Sequence, residues 1–123
     1  AYVPYSGFHV GAALLCKDGT IFTGCNIENS AYGPTNCAER TAIFKAVSEG
    51  YREFQVIAII SDSKELTSPC GVCRQVMAEF CEPDFEVIML SCDGKYKEVT
   101  LEELLPYAFS LTEEQLATAP ELS

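Results

Sequence analysis

The sequence predicts an α/β fold, specifically a three-layer α-β-α sandwich built around a mixed five-stranded sheet. Two observations lead to this prediction. Hydrophobic periodicity and turn signals give the element order β-β-α-β-α-β-β-α, in which helices separate several of the strands. The run 54–60 is almost wholly apolar, which is typical of a central strand. Strands joined through a helix are expected to form a parallel pair by a right-handed crossover.

The first half of the chain predicts a β-hairpin followed by a loop and a helix. Residues 9–16 and 20–25 have strand character and are separated by a Lys-Asp-Gly turn. Residues 26–36 are polar and contain Gly and Pro, which indicates a loop. Residues 37–49 have apolar residues at helical spacing, and Gly50 is a natural stop for that helix.

The second half predicts a second helix, two further strands and a short helix. The second helix opens at Ser-Pro within 68–80, since proline suits the first turn of a helix. Residues 85–91 and 96–99 are the predicted fourth and fifth strands. A capping box begins a short helix within 100–106, and residues 112–115 repeat the capping pattern before a polar tail.

Composition and net charge disfavour several classes of partner. The 123 residues are 48% hydrophobic, which suits one domain, 1–123, with a single core. The chain has 8 Lys and Arg against 18 Asp and Glu, a formal net charge of −10. Proteins that bind nucleic acid use basic surface to release phosphate counterions. A polynucleotide partner is therefore disfavoured, an anionic mononucleotide is mildly disfavoured, and a small neutral substrate fits best.

The sequence contains no membrane or targeting signal. No apolar run is long enough to span a bilayer, so no membrane partner is expected. Residues 1–5 have neither the basic nor the apolar region of a signal peptide. Because the cysteines also look free, a reducing, cytoplasmic location is predicted.

Three of the seven cysteines have the spacing of metal ligands: Cys37, Cys70 and Cys73. The count is odd, so a closed disulfide framework would leave one cysteine over. The other four are expected to be small buried hydrophobes. They are Cys16, Cys25, Cys81 and Cys92.

The three spaced cysteines and Glu39 together form a pattern typical of a hydrolytic zinc site. Three protein ligands leave the fourth tetrahedral position of zinc open to water, and a neighbouring glutamate can move protons to and from that water. Both ligand segments are expected at helix N-termini. The partial positive charge there lowers the pKa of a cysteine.

Each part of this pattern has an alternative interpretation. Glu39 lies three residues after Asn36 and can complete a capping interaction. The Cys-x-x-Cys pair taken alone fits a redox pair or half of a structural zinc site. A structural site needs four protein ligands, however, and the sequence offers no second Cys-x-x-Cys and one histidine, His9. A lone histidine at the start of a strand is more often an edge residue than a ligand.

Four segments resemble the small homotetrameric, zinc-dependent cytidine deaminases of the three-cysteine type. They are residues 3–13, 24–29, 35–43 and 68–75. The similarity covers almost the whole chain. That family usually has a helix before the Tyr-Val-Pro-Tyr segment, and we expect that helix to be absent from this chain.

The resemblance implies a reaction and a role for five residues at the metal site. Zn²⁺ held by Cys37, Cys70 and Cys73 activates water, and Glu39 passes a proton to N3 of the pyrimidine before ammonia leaves from C4. Three thiolates leave the site with one net negative charge. Arg40 is expected to offset it by hydrogen bonding to the ligand sulfurs, the alternative being a solvated or interface arginine.

The resemblance also implies the substrate contacts. Asn26 and Glu28 are expected to hold the ribose hydroxyls, Phe8 to pack on the pyrimidine, and Ala38 to complete the substrate-binding set. The alternatives are turn formation for Asn26, loop polarity for Glu28 and core packing for Phe8. An aromatic contact suits a flat, uncharged base.

Tyr32 and Phe109 are implied to reach the active site of a neighbouring subunit in a homotetramer. The predicted function is hydrolytic deamination of cytidine and deoxycytidine to uridine and deoxyuridine in pyrimidine salvage, by a hydrolase acting on cyclic amidines. A blasticidin-type or other base deaminase is the alternative enzyme, and Asn26 and Glu28 favour a ribose-bearing substrate over it. A structural zinc or redox module is the non-enzyme alternative, which the missing fourth ligand and Glu39 disfavour.

Overall fold

The computed structural model describes residues 1–111 and confirms the predicted order of elements. The elements are β1 (Val10–Cys16), β2 (Ile21–Cys25), α1 (Ala38–Ser48), β3 (Phe54–Ser61), α2 (Gly71–Phe80), β4 (Glu86–Leu90), β5 (Tyr96–Thr100) and α3 (Leu101–Leu104). The capping pattern predicted at 112–115 lies outside the described residues. Among residues 1–111, no helix has both the length and the apolar character needed to cross a membrane.

Two helix starts differ by a few residues from the prediction. The second helix begins at Gly71 rather than at Ser68, because the preceding Cys70 is still extended, with ψ of 168°. The first begins at Ala38 because Cys37 is extended in the same way, with ψ of 155°. Both cysteines therefore occupy the N-cap position, immediately before the first helical residue. The capping box at Thr100 and Glu103 is confirmed, with both of its reciprocal hydrogen bonds present.

The five strands form one mixed sheet in the order β2-β1-β3-β4-β5. β1 pairs antiparallel with β2 and β3, β3 pairs parallel with β4, and β4 pairs antiparallel with β5. The predicted parallel pair joined through a helix is thus β3 and β4, with α2 as the crossover. This arrangement confirms the prediction of an α/β fold with a mixed five-stranded sheet.

One row of side chains crosses all five strands and forms the centre of the core. The register joins Phe22 to Leu14, Leu14 to Ile57, Ile57 to Val87, and Val87 to Val99. All five side chains are buried. Burial of each such side chain contributes about 1.5–3 kcal/mol relative to exposure. The row therefore specifies the sheet register, since a slip of one residue would turn all of it to the other face.

The helices cover this row from one side. α1 contributes Ala42, Ile43 and Ala46 to the same hydrophobic cluster, and α2 contributes Cys73 and Met77; all five are fully buried. On the other face of the sheet, β1 carries residues of intermediate burial and β3 carries intermediate and exposed residues, among them Ile60. The core between sheet and helices thus anchors α1 and α2 against the sheet.

A glycine lets α1 approach the sheet closely. Gly24 in β2 faces α1, and a Cβ atom there would lie 2.6 Å from Ala42 N and closer still to Ala38 O. Real Cβ atoms do not come so near to backbone atoms. The start of α1 is therefore held directly against the end of β2, which brings the residues around Cys37 to that end of the sheet.

Gly24→Ala is expected to lower the free energy of unfolding by about 1–3 kcal/mol, because overpacking forces the helix and strand backbones apart. Gly11→Ala on the neighbouring strand is the matched control, since its added methyl would meet nothing nearer than 3.8 Å. The control is expected to change stability by less than about 1 kcal/mol. Urea unfolding of both variants measures the difference, and equal effects of the two substitutions would contradict the close approach.

Candidate metal centre

The structure brings the three predicted ligand cysteines together. The sulfur atoms of Cys37, Cys70 and Cys73 all lie within 4.8 Å of one another. The Cys37 and Cys70 sulfurs are 3.9 Å apart, and those of Cys70 and Cys73 are 3.4 Å apart. Cys73 is buried, Cys37 is half-buried and Cys70 is exposed. One side of the cluster is therefore open.

The topology of the sheet explains why two helix starts meet at this point. β2 and β3 run parallel to each other, because each pairs antiparallel with β1 between them. α1 follows β2 and α2 follows β3, so both helices begin at the same end of the sheet. In open α/β sheets, this carboxyl end is where ligands bind. Neither Cys37 nor Cys70 uses its side chain to cap its helix, so both sulfurs point to the shared site.

The donor set and its spacing fit a zinc ion. Thiolates bind zinc at about 2.3 Å, so two sulfurs on a tetrahedral ion lie about 3.8 Å apart. The measured separations of 3.9 and 3.4 Å lie on either side of that value. Among residues 1–111, no fourth His, Cys, Asp or Glu ligand joins the cluster. The chain thus offers three ligands, which is the number found in catalytic zinc sites.

Cys37 and Cys73 differ in acidity. The pKa of Cys37 is lowered from 9.0 to about 5, because its sulfur accepts hydrogen bonds from Cys73 and from the Arg40 guanidinium. The pKa of Cys73 is raised, because its thiol donates a hydrogen bond to Cys37 and because it is buried. Cys37 is therefore the more acidic thiol of the two, and Arg40 contacts its sulfur.

Arg40 makes the predicted contact with a ligand sulfur. Its Nη2 lies 3.1 Å from the sulfur of Cys37. Its Nε is buried and, within the described residues, has no hydrogen-bond partner. The side chain is thus not the fully solvated arginine of the alternative interpretation. A guanidinium in this position withdraws negative charge from the cluster.

Glu39 is buried beside the cysteines, with 4% of its surface exposed. Burial raises its pKa, and the negative charge of Cys37 acts in the same direction. The alternative capping role is not observed. Cys37, not Asn36, is the N-cap residue, and the amide of Asn36 donates to Thr41 instead. The carboxyl group is left to face the site.

A pocket of about 210 Å³ opens over the cluster. Six residues predicted from the sequence line it: Phe8, Asn26, Cys37, Ala38, Glu39 and Cys70. Val10, Thr67 and Ser68 also line it, and sequence reasoning missed them. The sequence pattern indicates these three residues only weakly. Val10 is two residues from Phe8 in an extended segment, and Thr67-Ser68 directly precedes the Pro-Cys motif. A larger pocket, of about 460 Å³, lies at the far end of α2, away from the cysteine cluster.

Asn26 shapes the pocket wall through two hydrogen bonds. Its Oδ1 accepts from the backbone N–H of Val10 at 3.0 Å, and its Nδ2 donates to the carbonyl of Phe8 at 2.8 Å. It therefore holds the segment that presents the Phe8 ring. The alternative of turn formation is not what these two hydrogen bonds show, since they join Asn26 to a segment far away in the sequence.

Glu28 lies outside the pocket lining. One of its carboxylate oxygens, Oε1, accepts from the backbone N–H groups of Tyr5 and Ser6, at 3.0 and 3.1 Å. Hydrogen bonding from Ser6 lowers the pKa of this exposed carboxyl. Glu28 thus holds the N-terminal segment beside the site, a contact that its sequence neighbours do not reveal.

Tyr32 and Phe109 are not brought to the pocket within one chain. Their side chains are 83% and 69% exposed. The backbone of Phe109 is nevertheless held in place, because Gln75 of α2 donates to its carbonyl at 2.9 Å. Both aromatic rings thus project from the surface, as the prediction of contacts with a neighbouring subunit requires.

Comparison with known proteins identifies the family. A family model described as the cytidine and deoxycytidylate deaminase zinc-binding region matches residues 1–89. The cytidine deaminase of Sporosarcina psychrophila is 58% identical over 121 residues, which cover 98% of this chain and 88% of the relative. That of Halalkalibacterium halodurans is 58% identical over 110 residues, covering 89% and 83%.

A solved structure agrees with the sequence relatives. The crystal structure of cytidine deaminase from Burkholderia pseudomallei superimposes with a TM-score of 0.85 at 49% identity, and the match covers 88% of this chain and 87% of that one. The resemblance stated from the sequence motifs is confirmed. The chain belongs to the cytidine and deoxycytidylate deaminase family, whose fold and zinc-binding region it shares.

Proposed function

We propose that the protein hydrolyses cytidine and deoxycytidine to uridine and deoxyuridine, with release of ammonia. The single observation that carries this proposal is a buried glutamate, Glu39, beside three converging cysteine sulfurs in a pocket. A structural zinc module needs a fourth protein ligand and has no use for a buried carboxyl group. A proton carrier next to an open metal position is what hydrolytic deamination requires.

Glu39 is the proposed proton carrier. Zinc held by Cys37, Cys70 and Cys73 would supply the Lewis acidity that lowers the pKa of a water molecule at the open position. Glu39 takes the proton that this water loses and delivers it to N3 of the pyrimidine. It then takes the second proton from the hydroxyl group that has added to C4 and gives it to the amino nitrogen, so that the C4–N bond breaks, ammonia leaves and the C4 carbonyl forms. Because burial raises its pKa, Glu39 holds a proton between these steps more readily than an exposed glutamate would.

Arg40 is proposed to make the three-thiolate site a better electrophile. Two positive charges on zinc against three thiolates leave one net negative charge, which weakens the attraction for a developing negative charge. The Arg40 hydrogen bond to Cys37 offsets part of it. The N-terminal ends of α1 and α2 both face the cluster, and their partial positive charges act in the same direction.

The pocket is proposed to select a neutral nucleoside. Within residues 1–111, its lining contributes no lysine or arginine. Phe8 offers an aromatic surface to the flat base, Asn26 and Ala38 form the adjacent wall, and Glu28 is the proposed ribose contact from the neighbouring loop. A phosphorylated substrate would place at least one negative charge near Glu39 and the thiolates without a cation to pair it.

We further propose that the enzyme is a homotetramer acting in cytoplasmic pyrimidine salvage. The exposed Tyr32 and Phe109 rings support this assembly, because each leaves an aromatic surface free for contact with a neighbouring subunit. The location is supported by seven cysteines that are all free, as is usual in a reducing compartment.

The function is tested by a deamination panel run on zinc-quantified wild-type protein and on Glu39→Gln. Wild type is expected to turn over cytidine and deoxycytidine, and to turn over dCMP, adenosine and blasticidin S far more slowly. Glu39→Gln keeps the size of the side chain but cannot carry the proton. It is expected to retain zinc and to lose about 10²–10⁴-fold in kcat/KM.

Glu49→Gln, an exposed position at the other end of α1, is the matched control and is expected to keep wild-type activity. Turnover of neither cytosine nucleoside by zinc-replete wild type would refute the proposed function. Wild-type rates in zinc-loaded Glu39→Gln would refute the role of Glu39 alone.

Arg40→Ala is expected to keep the fold while lowering kcat/KM or zinc affinity by about 10–100-fold, because the Cys37 sulfur loses its cationic partner. Arg40→Lys retains the charge and is expected to recover part of the loss. Steady-state kinetics and metal analysis at matched protein concentrations measure both effects. If wild type, Arg40→Ala and Arg40→Lys had the same kinetics and zinc content, the contact between Arg40 and Cys37 would have no role in function.

A further inference from the structure

Arg74, the residue after the last cysteine, makes three hydrogen bonds to oxygen. Its Nε donates to the carbonyl of Pro69 and its Nη1 to that of Leu104, both at 2.8 Å, and its Nη2 donates to the hydroxyl of Ser68 at 2.7 Å. We propose that Arg74 is a positioning residue that places the sulfur of Cys70 for metal binding. This inference rests on the proposed zinc ligation by the three cysteines.

The start of α2 needs a contact that fixes the direction of the chain at Cys70. Cys70 is the N-cap residue, and its side chain makes no capping hydrogen bond. A sulfur that binds a metal cannot also cap the helix, so the stabilisation that Ser, Thr, Asp or Asn would give at this position is missing. The chain before Cys70 is also irregular from residue 62 to residue 70. Some other contact has to set the direction in which Cys70 enters the helix.

The hydrogen bond from Arg74 to the Pro69 carbonyl can fix the orientation of Cys70. The carbonyl of Pro69 and the N–H of Cys70 belong to the same planar peptide unit. Holding that carbonyl therefore sets the plane of the peptide, and with it the direction of the Cys70 Cα–Cβ bond. Arg74 lies one helical turn later, and its side chain reaches back over this turn. The same guanidinium holds the Ser68 hydroxyl, so two successive residues before Cys70 are fixed.

The third hydrogen bond ties this turn to a separate element. Leu104 is the last residue of α3, and its carbonyl is free to accept because α3 ends there. The planar guanidinium has five donors in a rigid fork, so one side chain can hold three acceptors in one relative geometry. Within residues 1–111, Arg74 takes part in no ion pair. The N–H donors of Arg74 therefore fix the positions of polypeptide groups and do not pair with a neighbouring charge.

Arg74 differs from Arg40 in what it touches. Arg40 donates to a ligand sulfur and changes the charge of the site. The three hydrogen bonds of Arg74 all go to oxygen atoms of the polypeptide. Loss of Arg74 is therefore expected to displace Cys70 relative to Cys37 and Cys73, and so to weaken metal binding.

Arg52 provides a matched control for a merely structural role. Its Nη1 also donates to two backbone carbonyls, those of Val47 and Tyr51, both at 2.8 Å. These carbonyls lie at the C-terminal end of α1, the opposite end from Cys37. Arg52→Gln therefore removes comparable hydrogen bonds without touching the segment before Cys70.

The test compares zinc affinity in folded wild type, Arg74→Gln, Arg74→Lys and Arg52→Gln, by competition with a chromogenic chelator. Circular dichroism identifies a temperature at which each apoprotein is folded. Arg74→Gln is expected to bind zinc about 10–100-fold more weakly than wild type. Arg74→Lys keeps the charge but not the fork, so its affinity is expected to fall between these two. Arg52→Gln is expected to match wild type.

Cobalt substitution supplies a second measure, since the thiolate-to-metal absorption of Co²⁺ reports the sulfur geometry without any catalysis. Its intensity is expected to fall in Arg74→Gln and to be unchanged in Arg52→Gln. Equal zinc affinity and equal cobalt spectra in Arg74→Gln and Arg52→Gln would overturn the positioning role and leave the proposed function intact. Wild-type zinc affinity in Cys70→Ala would overturn the ligand assignment itself, and the inference with it.

Discussion

The meeting of two helix N-termini is the constraint on which the rest of the structure depends. Cys37 and Cys70 each precede the first residue of a helix, and their sulfurs lie 3.9 Å apart. This distance requires α1 and α2 to begin at the same end of the sheet. It also requires α1 to lie very close to β2, which Gly24 permits because it has no side chain. The same residues therefore determine both the close packing of the core and the geometry of the site.

The electrostatics of the site follow from that crowding. Sulfur atoms this close together repel one another when charged, and the pKa of Cys37 is lowered whereas that of Cys73 is raised. Arg40 and the helix N-termini supply positive charge to the cluster. The carboxyl group of Glu39 is buried in the same pocket, and burial raises its pKa. The arrangement combines a cluster of three sulfur atoms with a buried carboxyl group in the same pocket.

The features that depend on local sequence were predictable, whereas those that depend on distant contacts were not. Hydrophobic periodicity predicted the strands and helices, and the spacing of Cys37, Cys70 and Cys73 predicted the three sulfur atoms that the structure brings together. The hydrogen bonds from Tyr5 and Ser6 to Glu28 join residues more than 20 positions apart, and no local pattern marks them. The start of α2 was placed too early because an N-terminal proline is a general helix signal, whereas the extended Cys70 is a requirement of this site.

The site depends on three cysteines that hold the metal and leave one position open, as proposed above. Zinc K-edge X-ray absorption on the zinc-loaded protein can count these ligands, because sulfur and oxygen neighbours differ in scattering and in distance. We expect three sulfur neighbours at about 2.3 Å and one lighter neighbour at about 2.0 Å. Four sulfur neighbours would indicate a closed structural site, and a shell with fewer than three sulfurs would show that Cys37, Cys70 and Cys73 do not act together as ligands.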